Sequence, residues 1–520
     1  MRKPNVVVFM TDQQRADVRA SRGFSLDTMP FLDQWSEGGM DFERAYTPNP
    51  ICLAARCSFF TGRYPSSHGV RTNQNVEDIK YSQDILDVMK SNGYVTCLCG
   101  KNHTYRRPHE DFDYSWPTGH LGIPLSECRS EGEKQLSMAL DNESRFIDLQ
   151  HPAPGGVEAQ HPYRNVTDAF TFIDQYAQKQ PFFLWVSLAE PHNPYQVPEP
   201  YFDMFPPESL PPITTGPEDL SGKGAKFKFV IDIWNRVLGV HHEQRILRDR
   251  SNYYGMLRLI DDQFHRFIDG LQQRGILDDT IVIYLSDHGD FAGEYGLMRK
   301  GPGLPEVLTH IPMIWRGPGI NPYGMDKKYF VSIVDILPTL CELLGIPTPF
   351  GVQGKSLVPL LQQGHIQEKE FEVAYSESGF GGLYFDEYDA LTPQQEGACS
   401  GWDTFDCLDT WTQAGQERMV RKGEWKLQED MLGNGYLYNL EADPFETHNL
   451  FYDDQFTQIK ADMLQELVAA GLRACDPLPP PRHRYRYKRQ PQGYWFQEFH
   501  LETDPGVQQV SVSTFQEGEH

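Results

Sequence analysis

The sequence predicts an α/β protein with a large mixed, mostly parallel β-sheet flanked by helices, and a smaller C-terminal α+β lobe. Three observations support this fold class. Short continuous apolar runs end abruptly in polar residues, segments with helical apolar spacing separate these runs, and short alternating stretches take over after about residue 370. With 520 residues, of which 39% are hydrophobic, the chain can bury a large core. A small disulfide-stabilised domain and a disordered chain are excluded.

Four apolar runs are predicted to be strands that are buried on both faces. They are rich in β-branched and aromatic residues, as expected for parallel strands covered by helices on both sides. Each run is followed directly by polar residues that include Asp, Lys or His. Because the ligand site of a parallel sheet lies beyond the carboxyl ends of its strands, we expect these polar residues to converge on one site. The four runs are residues 6–10, 94–99, 182–188 and 281–285.

Helical spacing of apolar residues predicts the helices that cover this sheet. The clearest stripe lies in residues 253–274 and is interpreted as core packing. Residues 104–165 show little periodicity and are predicted to form a long functional loop over the sheet. Residues 197–225 are predicted to be a Pro-rich crossing. Further helices are predicted at residues 84–91, 166–178 and 335–344.

The C-terminal part of the sequence divides into a lobe and a tail. We predict a main domain over residues 1–370, an α+β subdomain over residues 371–475 and a tail over residues 476–520. The tail has no clear periodicity, so it is either disordered or laid over a neighbouring subunit of an oligomer. Within the subdomain, antiparallel strands are predicted at residues 373–376, 418–421, 425–427 and 436–440, followed by a helix at residues 455–472.

The charge balance limits the partners of the chain. Its 72 acidic and 47 basic residues give a formal net charge of −25, so neither nucleic acid nor an anionic membrane is an expected partner. An anionic substrate must therefore be held by a local cluster of cations. No apolar run approaches about 20 residues and no signal peptide follows Met1, which predicts a soluble, cytoplasmic protein, or a periplasmic or secreted one if a leader was removed. Nine cysteines without regular spacing suit reduced thiols better than disulfides.

Residues 49–63 are the most distinctive segment, with the sequence Asn-Pro-Ile-Cys-Leu-Ala-Ala-Arg-Cys-Ser-Phe-Phe-Thr-Gly-Arg. A short helix is predicted over residues 54–60 with Gly62 as its terminator, so Cys52 lies at the N-terminus and Arg56 about one turn further on. Free backbone N–H groups and the positive end of the helix dipole favour a thiolate, an alkoxide or a bound oxyanion there. From chemistry alone, Cys52 is a thiol nucleophile, a modified residue or a small buried cysteine in a tight turn.

The pattern Cys52-x-Ala54-x-Arg56 followed by Thr61-Gly62 resembles the signature of the type I sulfatases, which belong to the alkaline-phosphatase-like superfamily. In that family the cysteine is oxidised after translation to formylglycine, and its hydrated diol is the nucleophile. Five further blocks occur in the same order, and the resemblance covers roughly residues 4 to 460. These blocks are Asp12-Gln13, Gly100-Lys101-x-His103, Pro191-His192-x-Pro194, Ser286-Asp287-His288-Gly289 with Lys300 beyond it, and the segment 437–450.

The resemblance implies an alkaline-phosphatase-like fold and a sulfuric ester hydrolase that acts on a sulfated small molecule or glycan, with residues 1–370 as the catalytic domain. It also implies a divalent metal held by Asp12, Gln13, Asp287 and His288, together with an oxygen of the diol at residue 52. These hard ligands favour Ca²⁺. Many family members carry acids and Asn where this chain has Gln13 and His288, so Mn²⁺, Mg²⁺ and Zn²⁺ stay open.

The same resemblance gives roles to the cations of the site. Arg56 and Lys101 hold the nucleophile and the sulfate. His192 and Lys300 contact the sulfate and the leaving ester oxygen. His103 takes a proton from the second hydroxyl, so that the sulfated intermediate breaks down to aldehyde and sulfate. A histidine suits that step because its ordinary pKa lies near neutrality.

Maturation and substrate specificity are less well defined by the sequence. Ala54 stands where the commonest family pattern has Pro, which suggests that a bacterial radical-type maturase forms the formylglycine. Aromatic and basic residues in segments 104–165 and 380–411 could stack on a sugar ring, but they are interpreted as ordinary loop residues. Two other functions stay open, namely phosphonate monoester or phosphate diester hydrolysis on the same fold, and non-catalytic binding of a sulfated glycan. The latter is disfavoured because a binding protein needs no nucleophile.

Overall fold

An eight-stranded mixed sheet forms the centre of the protein, as a computed structural model of the chain shows. The structure describes residues 3–119, 123–144, 147–176, 180–220, 222–238, 243–366, 368–380 and 415–476, together with residues 487–488 and 500–501. A three-stranded sheet and a four-stranded antiparallel sheet accompany the central one. The predicted fold class is confirmed. The aromatic residues of segment 380–411 that could stack on a sugar ring, namely Tyr384, Tyr388, Trp402 and Trp411, lie outside the described residues, as does most of the tail.

The strands occur where the apolar runs predict them. In chain order they are β1 (Asn5–Asp12), β2 (Met40–Phe42), β3 (Ala45–Tyr46), β4 (Val95–Gly100), β5 (Tyr114–Pro117), β6 (Phe182–Pro191), β7 (Thr280–Ser286), β8 (His310–Ile311), β9 (Met313–Arg316), β10 (Gly324–Asp326), β11 (Val331–Ser332), β12 (Val373–Ser378), β13 (Glu417–Lys422), β14 (Trp425–Asp430), β15 (Gly435–Asn439), β16 (Tyr487–Lys488) and β17 (His500–Leu501). The central sheet has the order β10-β2-β9-β7-β1-β6-β4-β5. The strands from β7 to β5 in this order are parallel, whereas β9 is antiparallel to both of its neighbours.

Helices cover both faces of the central sheet. In chain order they are α1 (Pro30–Ser36), α2 (Cys52–Thr61), α3 (Pro65–His68), α4 (Ile85–Ser91), α5 (Pro108–Asp111), α6 (Glu131–Glu143), α7 (His161–Tyr176), α8 (Tyr201–Met204), α9 (Ala225–Leu238), α10 (Glu243–Gln273), α11 (Glu306–Thr309), α12 (Ile336–Leu343), α13 (Val358–Gln363) and α14 (Thr457–Cys475). None of the helices in the described ranges is long and apolar enough to span a membrane.

Alternation along β1 separates two hydrophobic cores. Val7 and Phe9 belong to the core that contains residues of α7 and α10, whereas Val6 and Val8 belong to the core that contains residues of α2, α4 and α12. All eight residues of β1 are buried. Because successive side chains of a strand point to opposite faces, this is the pattern of a strand between two helical layers.

The prediction of one long loop over residues 104–165 is wrong. This segment contains α5, the edge strand β5 and the 13-residue helix α6, and α7 begins four residues before it ends. Ser130 caps α6 by accepting a hydrogen bond from the N–H of Glu133, and Leu136 and Leu140 lie one turn apart in a small core of their own. The apolar stripe of α6 is too short to stand out from the polar residues around it. The helices α7 and α10 also begin earlier than predicted, and α9 was not predicted.

The C-terminal lobe is a four-stranded antiparallel sheet, β12-β13-β14-β15, against which α14 packs. Its first strand is bonded to the segment that precedes α2. Ser376 donates to the carbonyl of Thr47 at 2.5 Å, and the N–H of Glu377 donates to the carbonyl of Pro48 at 2.9 Å. The Glu377 carboxylate also accepts from the backbone and the hydroxyl of Ser66. Hydrogen bonds thus connect the lobe to the main domain a few residues before Cys52. The domain boundaries at residues 370 and 475 stay a prediction.

Candidate active site

Cys52 lies at the N-terminus of α2, in the position predicted for it. Every residue of α2 is buried, and Cys52 is 1% exposed. The helix ends at Gly62, whose φ of 61° lies in the left-handed region and whose N–H donates to the carbonyl of Ser58. Near the helix start, the N–H of Leu53 donates to Oδ1 of Asn73 at 3.3 Å. The local sequence therefore presents residue 52 at the positive end of a rigid, buried helix.

The carboxyl ends of β1 and β7 bring two carboxylates and an imidazole to Cys52. Its Sγ lies 3.6 Å from Oδ1 of Asp12 and 3.1 Å from Nε2 of His288. Nε2 of His288 is 3.7 Å from Asp12 and 3.8 Å from Oδ1 of Asp287. Nδ1 of His288 lies 2.8 Å from the carbonyl of Gly289, which can only accept, so Nδ1 carries a proton and Nε2 is the nitrogen that faces this group.

Arg56 ties the two carboxylates together. Its Nε donates to Asp287 at 2.7 Å and its Nη2 to Asp12 at 3.1 Å. Nη1 donates to the hydroxyl of Ser187 at 2.7 Å and to the carbonyl of Lys101. The guanidinium is 0% exposed and lies over the ring of Trp185. Arg56 therefore sets the spacing of the two carboxylates and balances part of their charge.

The remaining predicted residues lie beside this cluster and are called the cationic edge. They are Lys101, His103, His192 and Lys300. The Lys101 ammonium is paired with Asp12, and Nζ of Lys300 lies 3.1 Å from Nε2 of His192. His103 lies within electrostatic range of Lys101, and Lys300 lies within range of both His103 and Cys52. The structure thus brings together all ten residues that the sequence predicts for the site, namely Asp12, Gln13, Cys52, Arg56, Lys101, His103, His192, Asp287, His288 and Lys300.

Three hydrogen bonds hold Gln13, and its side-chain oxygen takes part in none of them. It has a φ of 72°, in the left-handed region that residues other than glycine rarely adopt. Its N–H donates to Asp287 at 3.1 Å, its carbonyl accepts from the hydroxyl of Tyr253 at 3.0 Å, and its Nε2 donates to the carboxylate of Asp290. Its Oε1 is buried and has no hydrogen-bond partner among the described residues. Backbone strain of this kind concentrates at functional sites.

The charges in the cluster shift the pKa values of both groups at its centre. Burial and Asp12 raise the pKa of the Cys52 thiol, but Lys101, Lys300 and His288 outweigh them and lower it to about 6. Burial lowers the pKa of His288, but Asp287 and Cys52 outweigh it and raise it to about 9. The site therefore favours an anion at residue 52.

The donor atoms fit a divalent cation. Ligand atoms of Asp12, Cys52, Asp287 and His288 all lie within 4.8 Å of one another, and each of these residues is buried. Oε1 of Gln13, the residue after Asp12, is buried without a hydrogen-bond partner among the described residues, which makes it a candidate amide ligand. Two carboxylates and an amide with one imidazole form a set in which hard ligands dominate, and a buried oxygen without a partner is costly unless it meets a cation or a donor.

Four further residues support the site without having been predicted. Asn73 binds the start of α2, Ser187 binds Arg56, and Tyr195 and Asp290 lie behind Gln13. Asp290 directly follows the predicted block Ser286-Asp287-His288-Gly289, so its position offered a signal. Ser187 is one of many residues inside a buried strand, and the sequence alone does not distinguish it from its neighbours.

Comparison with known proteins shows which proteins this chain is similar to. Residues 4–346 match the family model "Sulfatase". An arylsulfatase of Clostridium perfringens (strain 13 / Type A) is 27% identical over 497 residues, which cover 90% of this chain and 94% of that protein. The phosphonate monoester hydrolase of Agrobacterium radiobacter superposes with a TM-score of 0.72 at 22% identity, covering 91% of this chain and 96% of that one. A 2-O GAG sulfatase superposes with a TM-score of 0.67 at 20% identity, covering 91% and 93%. The likeness to these two structures shows the shared alkaline-phosphatase-like fold, and the family match shows that the chain belongs to the sulfatase family of sulfuric ester hydrolases.

Proposed function

We propose that the protein hydrolyses the sulfate ester of a carbohydrate, with a formylglycine derived from Cys52 as the nucleophile. The observation that carries this proposal is the position of Cys52, which lies at a buried helix start between a cluster of metal ligands and a cationic edge. A binding protein would have no need for a reactive residue at that point. The carbohydrate part is supported by the 2-O GAG sulfatase among the structures that share the fold.

The metal would be held by Asp12, Gln13, Asp287 and His288, with an oxygen of residue 52. We propose Ca²⁺, because oxygen ligands dominate the set, with Mn²⁺, Mg²⁺ and Zn²⁺ as alternatives. When bound, the cation supplies positive charge that lowers the pKa of a neighbouring hydroxyl. Arg56 keeps Asp12 and Asp287 in place for it.

The cationic edge binds and neutralises the sulfate in this mechanism. Lys101 and Lys300 supply fixed positive charge beside residue 52. Nδ1 of His192 lies 2.6 Å from the carbonyl of Asn193, so this nitrogen carries the proton and Nε2 accepts from Lys300 at 3.1 Å. Lys300 and His192 therefore form a pair that can give a proton to the leaving ester oxygen. Electrostatic stabilisation of this kind is commonly the largest contribution to catalysis.

His103 is suited to act as the general base. Burial, together with the charges of Lys101 and Arg56, lowers the pKa of His103 well below its ordinary value. A histidine with a lowered pKa is neutral at pH 7 and accepts a proton. We assign to it the removal of a proton from the second hydroxyl of residue 52, which releases sulfate and restores the aldehyde. Formation of that aldehyde requires a maturase, for which a bacterial radical-type enzyme is the candidate because of Ala54.

Turnover of matched esters tests the reaction class. We expect hydrolysis of 4-nitrophenyl sulfate with a kcat/KM at least tenfold above that of a 4-nitrophenyl phosphonate monoester, measured on the same enzyme preparation. The phosphonate monoester hydrolase that shares the fold makes phosphonate hydrolysis the second candidate. A clear preference for the phosphonate would replace the first proposal by the second. If residue 52 is oxidised and the protein still hydrolyses neither ester, the result would favour a binding protein.

Removal of the metal is expected to abolish turnover. Without the cation, two buried carboxylates face the nucleophile, and repulsion disfavours attack on an anionic ester. We expect dialysis against EDTA to lower kcat at least 100-fold and readdition of Ca²⁺ to restore it. Parallel readdition of Mn²⁺, Mg²⁺ and Zn²⁺ identifies the preferred ion. Full activity after chelation, with metal content verified by elemental analysis, would contradict the proposed role of the cation.

A further inference from the structure

We propose that Asp290 is a positioning residue that holds the side-chain amide of Gln13 with its oxygen towards the metal ligands. This inference rests on the proposed function, because it concerns how the chain prepares the cation site. Asp290 is 0% exposed and lies outside the metal-ligand cluster formed by Asp12, Cys52, Asp287 and His288. Its effect on the metal would therefore pass through Gln13.

The carboxylate of Asp290 accepts hydrogen bonds from four directions. Its Oδ2 accepts from Nε2 of Gln13 and, at 2.7 Å, from the hydroxyl of Tyr195. Its Oδ1 accepts from the N–H of Ala292 at 2.6 Å and from the N–H of Arg299 at 3.1 Å. The two backbone donors fix Oδ1, and the two side-chain donors fix Oδ2, so the carboxylate has one orientation.

This orientation decides which end of the Gln13 amide faces the site. An ionised carboxylate only accepts hydrogen bonds, so the group that Gln13 turns to Asp290 must be its NH₂. The opposite end, Oε1, is then left buried without a partner among the described residues. Asp287 and Tyr253 fix the backbone of Gln13, and Asp290 holds the NH₂ of its side chain, so both ends of the residue have a defined position. A metal ligand of the correct polarity is thus prepared before the cation arrives.

The same carboxylate joins the metal ligands to the cationic edge. The N–H of Arg299 donates both to Asp290 and, at 2.8 Å, to the hydroxyl of Tyr195, and Arg299 directly precedes Lys300. Tyr195 lies three residues after His192, which is the partner of Lys300 in the cationic edge. Asp290 therefore fixes the relative placement of Gln13 and of the backbone that carries Lys300.

The variant Asp290→Asn tests the assignment with little change in shape. The backbone N–H groups of Ala292 and Arg299 require an acceptor, so the Asn carbonyl takes the place of Oδ1 and its NH₂ faces Gln13. Two NH₂ groups then oppose each other, and the Gln13 amide is expected to turn its own NH₂ to the metal. We expect the Kd for Ca²⁺, and likewise for Mn²⁺, to rise about 10- to 100-fold in calorimetric titrations of the metal-free protein.

The reciprocal swap Gln13→Glu/Asp290→Asn separates positioning from general structural damage. In the swap the Asn NH₂ again faces an acceptor, and the second oxygen of the Glu is free for the cation. We expect it to recover the metal affinity to within about fivefold of the original protein. It also keeps the test decisive if Asp290→Asn alone fails to fold.

A matched control is Asp261→Asn. Asp261 is a buried carboxylate that accepts from the N–H groups of Phe31 and Leu32, far from the metal ligands in the chain. This variant should lose stability but keep the affinity for Ca²⁺. Unchanged affinity in Asp290→Asn, or a swap that stays as weak as Asp290→Asn, would overturn the inference and leave the proposed function intact. An original protein that binds neither ion would overturn both the inference and the proposed metal.

Discussion

Replacing Cys52 by Ala is expected to lower kcat for a sulfate ester by a factor of about 10⁴ to 10⁶. The reason is that residue 52 is the only group placed to attack sulfur in the proposed mechanism, and the cations around it stabilise charge without forming a bond. The substitution removes only the reactive group on Cβ of residue 52, so the fold should persist. Steady-state turnover of 4-nitrophenyl sulfate, with circular dichroism as the check on folding, measures the effect.

Cys57→Ala is the matched control for this experiment. Cys57 lies on the same helix, is 0% exposed, and packs with Leu53 and Val70. Burial raises the pKa of its thiol above the ordinary value, so it is an unreactive core residue. We expect activity within about threefold of the original and a loss of about 1 kcal/mol in stability. Peptide mass spectrometry should show the mass loss from thiol to aldehyde at residue 52 alone, and an unmodified Cys52 in an active preparation would refute the covalent mechanism.

Replacing Glu306 by Gln is expected to lower the free energy of unfolding by about 3–5 kcal/mol. Glu306 joins the main domain to the C-terminal sheet. Its carboxylate accepts from the hydroxyl of Tyr46, pairs with Arg421, and lies 3.3 Å from Nζ of Lys426. The Lys426 side chain is 0% exposed, so loss of the carboxylate leaves buried positive charge, for which Glu446 is the remaining ion-pair partner among the described residues. Denaturant unfolding at pH 7 measures the change.

The same carboxylate makes the junction sensitive to acid. Burial raises the pKa of Glu306, but Arg421 and Lys426 outweigh it and lower it from 4.5 to about 2. A carboxylate with a lowered pKa stabilises the fold above its ordinary pKa and loses that contribution as the pH falls from about 4.5 towards 2. We expect Glu306→Gln to flatten the stability profile in this range. The control Glu372→Gln removes the charge of a partly exposed partner of Lys422, and its cost should stay below about 1 kcal/mol. Equal costs for the two variants would contradict the buried ion-pair interpretation.

The elements that could be predicted are those whose burial leaves a recognisable apolar pattern in the sequence. β1, β4, β6 and β7 are buried along their whole length because both of their faces are covered, and each contains a continuous, largely apolar run. The helix α6 escaped prediction because only one narrow face of it is buried, against a core of six residues. The strands β2, β3 and β8 consist of two or three residues, which is too short for a periodic pattern.

The site could be predicted as a set of residues but not as a network. Residues such as Asp12 and His288 follow strand ends, where position in the chain already implies position in space. The hydrogen bonds that Arg56 donates to partners far away in the sequence follow no such rule, so Ser187 carries no local signal. The role of Asp290 depends on whether Gln13 turns its NH₂ or its oxygen to the metal ligands. A single hydrogen bond in the folded protein determines this, and the spacing of residues in the sequence does not reveal it.

The bonds between β12 and the segment before α2 impose an order on the biosynthesis of the site. Thr47 and Pro48 are held by Ser376 and Glu377, which leave the ribosome more than 300 residues later. At about 5–20 residues per second, this delay lasts roughly 15 s to one minute. Throughout it, the strand that bonds to residues 47–48 does not exist. Under the proposed maturation, this interval is the time in which a modifying enzyme would act on Cys52 before β12 completes the surroundings of α2.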